Sequence, residues 1–302
     1  MESIIAKPER EQIIALIKRE VVPAIGCTEP IAVALCVAKA TETLGCHPEN
    51  IKVFLSANIL KNAMGVGIPG TDMIGLPIAV ALGALIGKSE YQLEVLKDSN
   101  PEAVEAGKKM IESQCIDIAL KENIEEKLYI EAVCTHGNDS ATAIISGGHT
   151  NFVYISRNQD VLLDNRTPAS AEAQAAHVEL TLRKVFDFAT TAPLEEIEFI
   201  LEQTSEQKCT ERSFQGKYGH ELGRMLRNSQ TERNIMGNNT FTHILSYTSA
   251  ACDARMAGAM IPVMSNSGSG NQGIAATLPV VVYAEDNHNS EEELTRALYS
   301  AT

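Results

Sequence analysis

Residues 126–164, EKLYIEAVCTHGNDSATAIISGGHTNFVYISRNQDVLLD, alternate apolar and polar side chains and are broken by the turn clusters HGNDS, SGGHT and SRNQD. Successive side chains of a strand point to opposite faces, so this alternation predicts an antiparallel meander with one face buried. An all-helical chain is excluded. Elsewhere the texture differs: apolar spacing predicts helices over 8–22, 30–44, 74–87, 171–189 and 193–206. Residues 90–122 read as exposed amphipathic helices, one starting at Asn100-Pro101, while 51–59 (IKVFLSANI) reads as a strand and 61–73 as a Gly-rich loop. From about residue 240 the chain returns to small apolar residues.

There is no Trp and only 5% aromatic residue among 44% apolar, so the core must be built from Ala, Val, Ile and Leu. The expected fold class is α+β: a small-residue helical domain from both ends of the chain (1–94 with 231–302) and an inserted α+β domain (95–230) holding an antiparallel sheet. The final SEEELTRALYSAT is a helical pattern that stops without a cap, which predicts that the natural polypeptide continues past Thr302.

A formal charge of −14 argues against nucleic acid or an anionic membrane as partner, since both want a basic patch. The best apolar run, 74–87, is too short to span a bilayer, and MESIIAKPEREQ lacks a signal-peptide apolar stretch, so the expectation is a soluble, cytoplasmic protein. Seven cysteines (27, 36, 46, 115, 134, 209, 252) are an odd number with no CxxC pair, which suits neither a disulfide framework nor a zinc knuckle. Most read as inert core residues.

Two motifs are decoys. GVGIPG at 65–70 matches a dinucleotide-binding fingerprint by letter, but a polar stretch separates it from the preceding strand. GALIGKS at 83–89 has three residues between its glycines, one short of a phosphate-binding loop, and reads as a helix ending at Gly87.

Three stretches carry candidate chemistry. In AIGCTEP (24–30), Gly26 frees the backbone and Thr28, Glu29 and Pro30 are helix starters, so Cys27 sits at a helix N-terminus, where the macrodipole favours a thiolate that can bind or attack. In SNSGSGNQG (265–273), Ser265, Asn266, Ser267, Gly268, Ser269, Gly270, Asn271 and Gln272 form a Gly-rich loop between apolar runs. Such a loop presents amide N–H groups to a carboxylate, or else is a tight turn with its polar groups satisfied internally. In LKNAMGVGIPGT (60–71), Lys61 is a candidate partner for a substrate carboxylate or a solvated loop lysine, and Asn62 adds an amide. His149, in its strand turn, is a candidate base or orienting donor, or simply exposed.

Taken together, GCTEPIAVAL, KNAMGVGIPGT, SGGHTN, TSAACDARMAGAM and SNSGSGNQGI give the chain a resemblance to the L-cysteine desulfidase and serine dehydratase alpha-chain-like iron–sulfur lyases, over essentially its whole length. The resemblance implies an oxygen-sensitive, PLP-independent lyase with a [4Fe–4S] cluster, which cleaves L-cysteine to pyruvate, ammonia and sulfide. Alternatives are an L-serine dehydratase of the same mechanism and a non-catalytic protein that binds a small carboxylate or amino acid. It implies Cys27 as one cluster ligand, with two more cysteines beyond Thr302, and gives no ligand role to Cys36, Cys46 or Cys252. Lys61 and His149 become catalytic candidates; Asn62 and residues 265–272 become substrate-binding candidates. The implied partner is a small amino acid, with a homo-oligomer left open.

Overall fold

The computed structural model describes residues 4–166, 179–201, 210–227 and 236–302. They form two compact units, one from 24–172 with 255–260 and the other from 1–23, 173–254 and 261–302. The fold is α+β. The expected division put 24–94 with the chain ends; in the structure that stretch groups with the sheet instead.

The chain begins with helix α1 (Lys7–Glu20) and strand β1 (Val21–Ile25). The sheet unit then starts on helix α2 (Thr28–Leu44), and Gly45, at φ 85°, stops it in the left-handed conformation that glycine adopts without a Cβ clash. Residues Ile31 to Ala38 are all buried, as expected for a helix apolar on every side. Each fully buried Ile, Leu or Val there contributes about 1.5–3 kcal/mol.

After α2 come strand β2 (Asn50–Leu55), helix α3 (Ala57–Ala63), the two-residue strands β3 (Gly67–Ile68) and β4 (Met73–Ile74), and helix α4 (Leu76–Leu85). The strand expected at 51–59 therefore ends early, and α3 occupies its second half. GVGIPG lies in the β3–β4 hairpin, not in a strand-to-helix turn. Helix α5 (Pro101–Glu112) starts where Asn100 accepts the Ala103 N–H at 2.9 Å.

Strand β5 (Ile116–Leu120) corrects the helical expectation for 90–122: it runs parallel to β2, and its two alternations are too few to outweigh the helical spacing before it. Strands β6 (Tyr129–His136), β7 (Asp139–Ser146), β8 (Phe152–Arg157) and β9 (Asp160–Asp164) are the expected meander. Together they make a six-stranded sheet in the order β5-β2-β6-β7-β8-β9, with β2–β6 antiparallel. Helix α2 packs on β6 and β7 with one side and on α4 with the other. A Cβ on Gly83 would fall 2.5 Å from the Ala34 carbonyl oxygen, which shows how closely α2 and α4 approach.

The other unit adds α6 (Leu182–Thr191), α7 (Leu194–Ile197), α8 (Thr210–Gln215), α9 (Leu222–Arg227), α10 (Thr240–Met256), β10 (Pro262–Asn266), α11 (Gly270–Asp286) and α12 (Glu291–Ala301). Residues 171–178 and 202–206 of the two expected helices lie outside the described residues. Its core gathers Ile13, Phe188, Ile197, Ile200, Val281, Leu298 and Tyr299. Arg10, nearly buried, is held by a two-pronged ion pair to Glu196 at 2.7 and 2.8 Å. No described helix is long and apolar enough to cross a membrane.

Candidate functional site

Gly26 adopts φ 82°, and Cys27 follows as the N-cap of α2 in extended conformation. Its side chain caps no helix amide. Instead the Cys27 thiol donates to Glu29 Oε2 at 3.0 Å, and the Thr28 hydroxyl donates to the same oxygen at 3.2 Å. On the other oxygen, Oε1, the Asn62 amide donates from α3 at 3.3 Å. One carboxylate thus ties together the GCTEP turn and the KNAM helix.

Burial, and next the Glu29 charge, push the Cys27 thiol from 9.0 up to about 12, while the Arg255 guanidinium pulls it the other way. With no metal bound Cys27 is therefore a neutral thiol at pH 7, and the helix terminus alone does not make it the thiolate expected from its position. A helix terminus supplies about 0.3–1 kcal/mol, too little against burial beside an anion. Burial works against ionisation of Glu29 as well, but the bonds it accepts from Cys27, its own backbone and Thr28, with attraction to His149, hold its carboxyl below the usual range. His149 is half-buried, and burial lowers its pKa against the pull of Glu29, so its imidazole is neutral at pH 7.

The surrounding loops are positioned by backbone contact. A Cβ on Gly26 would meet Pro69 Cδ at 2.8 Å, and one on Gly67 would lie 2.7 Å from the Ala257 carbonyl carbon. The Gly70 N–H donates to the Gly258 carbonyl at 3.2 Å. Gly67 and Gly70 of GVGIPG thus serve close packing of this loop on residues 257–260, while its Pro69 lies against Gly26. Sequence reading missed Glu29 and Arg255: Glu29 counted only as a helix starter, and Arg255 only as a letter of the DARM motif. A buried arginine (3% exposed) has no local sequence signal.

Of the remaining candidates, Lys61 is exposed on α3. Ser265 is fully buried, and its hydroxyl finds no hydrogen-bond partner among the described residues. Asn266 donates to the Thr302 carbonyl at 3.0 Å and accepts from the Ser267 hydroxyl at 3.2 Å. Ser267 and Gly268 are both left-handed (φ 49° and 79°), turning the chain into α11, whose N-cap Ser269 accepts the Gln272 N–H at 3.3 Å. The N–H groups of Asn266, Ser267, Ser269 and Gly273 bond to the carbonyls of Ser269, Glu20, Asn266 and Ser269. Asn271 is on the first turn of α11 beside Gly270.

A [4Fe–4S] cluster with one open iron needs three thiolates. Among the described residues no three His, Cys, Asp or Glu side chains are placed to share a metal. Cys36 is fully buried, its thiol on the Ala143 carbonyl at 3.2 Å, Cys134 lies at 3.7 Å from the Thr41 hydroxyl, and Cys115 bonds the Met110 carbonyl at 3.4 Å. Cys46 is exposed, Cys252 packs at the edge of the small Val263–Ile274–Leu278 core, and Cys209 lies outside the described residues. The described residues do not by themselves form the implied ligand set.

Residues 90–302 match the family described as serine dehydratase alpha chain. Similar proteins, each named UPF0597 protein, include one from Phocaeicola vulgatus, 75% identical over 98% of this chain and 69% of its own length. Others come from Bacteroides thetaiotaomicron (69% identical over 96% of this chain and 68% of the relative) and Aeromonas hydrophila (43% identical over 99% and 68%). No solved structure matches.

Proposed function

The chain belongs to the serine dehydratase alpha chain family, and on that premise we propose that it is a lyase acting on a small amino acid. L-Cysteine is the preferred substrate and L-serine the second. Elimination removes the α-proton and breaks the Cβ–S or Cβ–O bond; the aminoacrylate left behind tautomerises, and water hydrolyses it to pyruvate and ammonia. The observation that carries this reading is the half-buried group around the start of α2: a thiol bonded to an ionised carboxylate, with a neutral imidazole from the β7–β8 turn within electrostatic reach of that carboxylate.

In this reading His149 takes the α-proton, because an imidazole kept neutral at pH 7 is ready to accept one. Glu29 and Asn62 hold the turn that presents Cys27. Cys27 is proposed as one ligand of the cluster that the resemblance implies. With the N–H groups of Asn266, Ser267, Ser269, Gln272 and Gly273 bonded within the protein, the 265–273 loop is given no part in the chemistry.

A second reading, amino-acid binding without turnover, is favoured by the single cysteine that the described residues bring to the site. The test is sulfide release from L-cysteine and pyruvate release from L-serine by full-length protein prepared without oxygen. Sulfide release is the expected result. Pyruvate from L-serine alone moves the assignment to a serine dehydratase; neither product from iron-loaded protein overturns the lyase reading in favour of the binder.

A further inference from the structure

We propose that the outer edge of strand β5 is a self-association surface, where β5 of a second copy of this chain pairs antiparallel about a two-fold axis through Ile118. Two six-stranded sheets then become one continuous sheet. This pairing does not depend on the lyase reading.

The sheet has two edges, β9 and β5, and they are built differently. An edge strand offers unpaired N–H and C=O groups to any strand that reaches it, and proteins block such pairing with bulges and charges. Strand β9 carries both: its register with β8 shifts between Ile155 and Ser156, and Asp160 and Asp164 stand at its two ends. Strand β5 pairs with β2 in unbroken register, and its sequence IDIAL has no proline and a single charge.

The Ile51 N–H donates to the Cys115 carbonyl and the Lys121 N–H to the Leu55 carbonyl, each at 2.8 Å. In a parallel ladder alternate residues bond to a given neighbour. Cys115, Asp117, Ala119 and Lys121 therefore face β2, and the N–H and C=O groups of Ile116, Ile118 and Leu120 point outward. The same three residues are in register with Ile51, Val53 and Leu55, so their side chains lie on the face where those three are fully buried. Yet Ile116 and Ile118 are only half-buried, and Leu120 is 48% exposed.

A two-fold axis at Ile118 meets all of these features. Ile118 comes opposite Ile118 of the second copy and Ile116 opposite its Leu120, each pair exchanging both N–H···O bonds and setting apolar against apolar. Asp117 comes opposite Ala119, so no carboxylate faces a carboxylate. A two-fold axis through the middle of β9, at Leu162, would instead set Asp160 against Asp164.

Sedimentation velocity of the full-length protein over a wide dilution series tests the pairing, with Ile118→Pro and Leu120→Lys beside wild type. Wild type is expected to pass from monomer to dimer as concentration rises. Ile118→Pro removes an outward N–H that β2 does not use, and Leu120→Lys places a charge on the edge. Each should raise the dimer dissociation constant at least about tenfold, with circular dichroism close to wild type. Two Ile118 Cα atoms in a hydrogen-bonded pair stand about 5.5 Å apart, within disulfide reach, whereas two Asp117 Cα atoms stand about 8 Å apart. Ile118→Cys should therefore cross-link through position 118 on mild oxidation, read by mass spectrometry of the joined peptides, and Asp117→Cys should not cross-link through position 117. Wild type that stays monomeric throughout overturns the proposal. So does a dimer that Leu120→Lys leaves intact and that Ile118→Cys does not cross-link.

Discussion

A thiol and a carboxylate 3.0 Å apart at the start of a helix set each other's ionisation. Burial and the Glu29 charge keep Cys27 protonated to about pH 12, so in iron-free protein it should react with iodoacetamide at pH 8 at least about tenfold more slowly than the exposed Cys46. Glu29→Gln removes the negative charge and leaves the size nearly unchanged. The Cys27 pKa should then fall and alkylation speed up, read by mass spectrometry of the peptide that carries it; an unchanged or slower rate contradicts the coupling. The cysteine itself was legible from its turn and following helix, but its ionisation state was not. Sequence spacing shows the helix start, whereas the carboxylate's side-chain donors come from Cys27, Thr28 and the distant Asn62.

At the scale of elements, GVGIPG shows how a motif is read rightly as a decoy and still has a purpose. Its glycines are unequal: Gly65 has open space where a Cβ would go, while Gly67 would press one onto the Ala257–Gly258 backbone at 2.7–2.8 Å. Gly65→Ala should therefore change stability by less than about 0.5 kcal/mol. Gly67→Ala should cost about 1–3 kcal/mol, the usual penalty of overpacking. Equal denaturant midpoints for the two variants would show that the 255–260 turn does not bear on this loop. The meander and α2 were readable because alternation and continuous apolarity are local signals. Strand β5 and helix α3 were not: β5 is a five-residue strand recruited by parallel pairing to β2, and α3 is a seven-residue helix without a side-chain cap.

At the scale of the molecule, the sequence's small-residue texture points to one helical domain built from both ends of the chain. In the structure α2 and α4 side with the sheet, because α2 covers β6 and β7. That packing buries Cys36 and Cys134, Cys27 is buried at the start of α2, and burial raises all three thiols, Cys134 to about 11. Between pH 9 and 11 the unfolded chain therefore loses protons that the folded chain keeps. Stability conferred by these thiols is complete below pH 9 and declines as pH rises toward their folded values. The melting temperature should fall from pH 8 to pH 10.5, and a level or rising value over that range contradicts the burial of these groups.

Iron content of anaerobically prepared full-length protein, wild type against Cys27→Ser and Cys36→Ser, tests the assignment of Cys27 most directly. Serine is nearly isosteric, but its hydroxyl is a poor substitute for a soft thiolate. Cys27→Ser should lose the iron while its circular dichroism and melting curve stay close to wild type, and Cys36→Ser should keep it. Iron retained in Cys27→Ser and lost in Cys36→Ser would contradict the assignment.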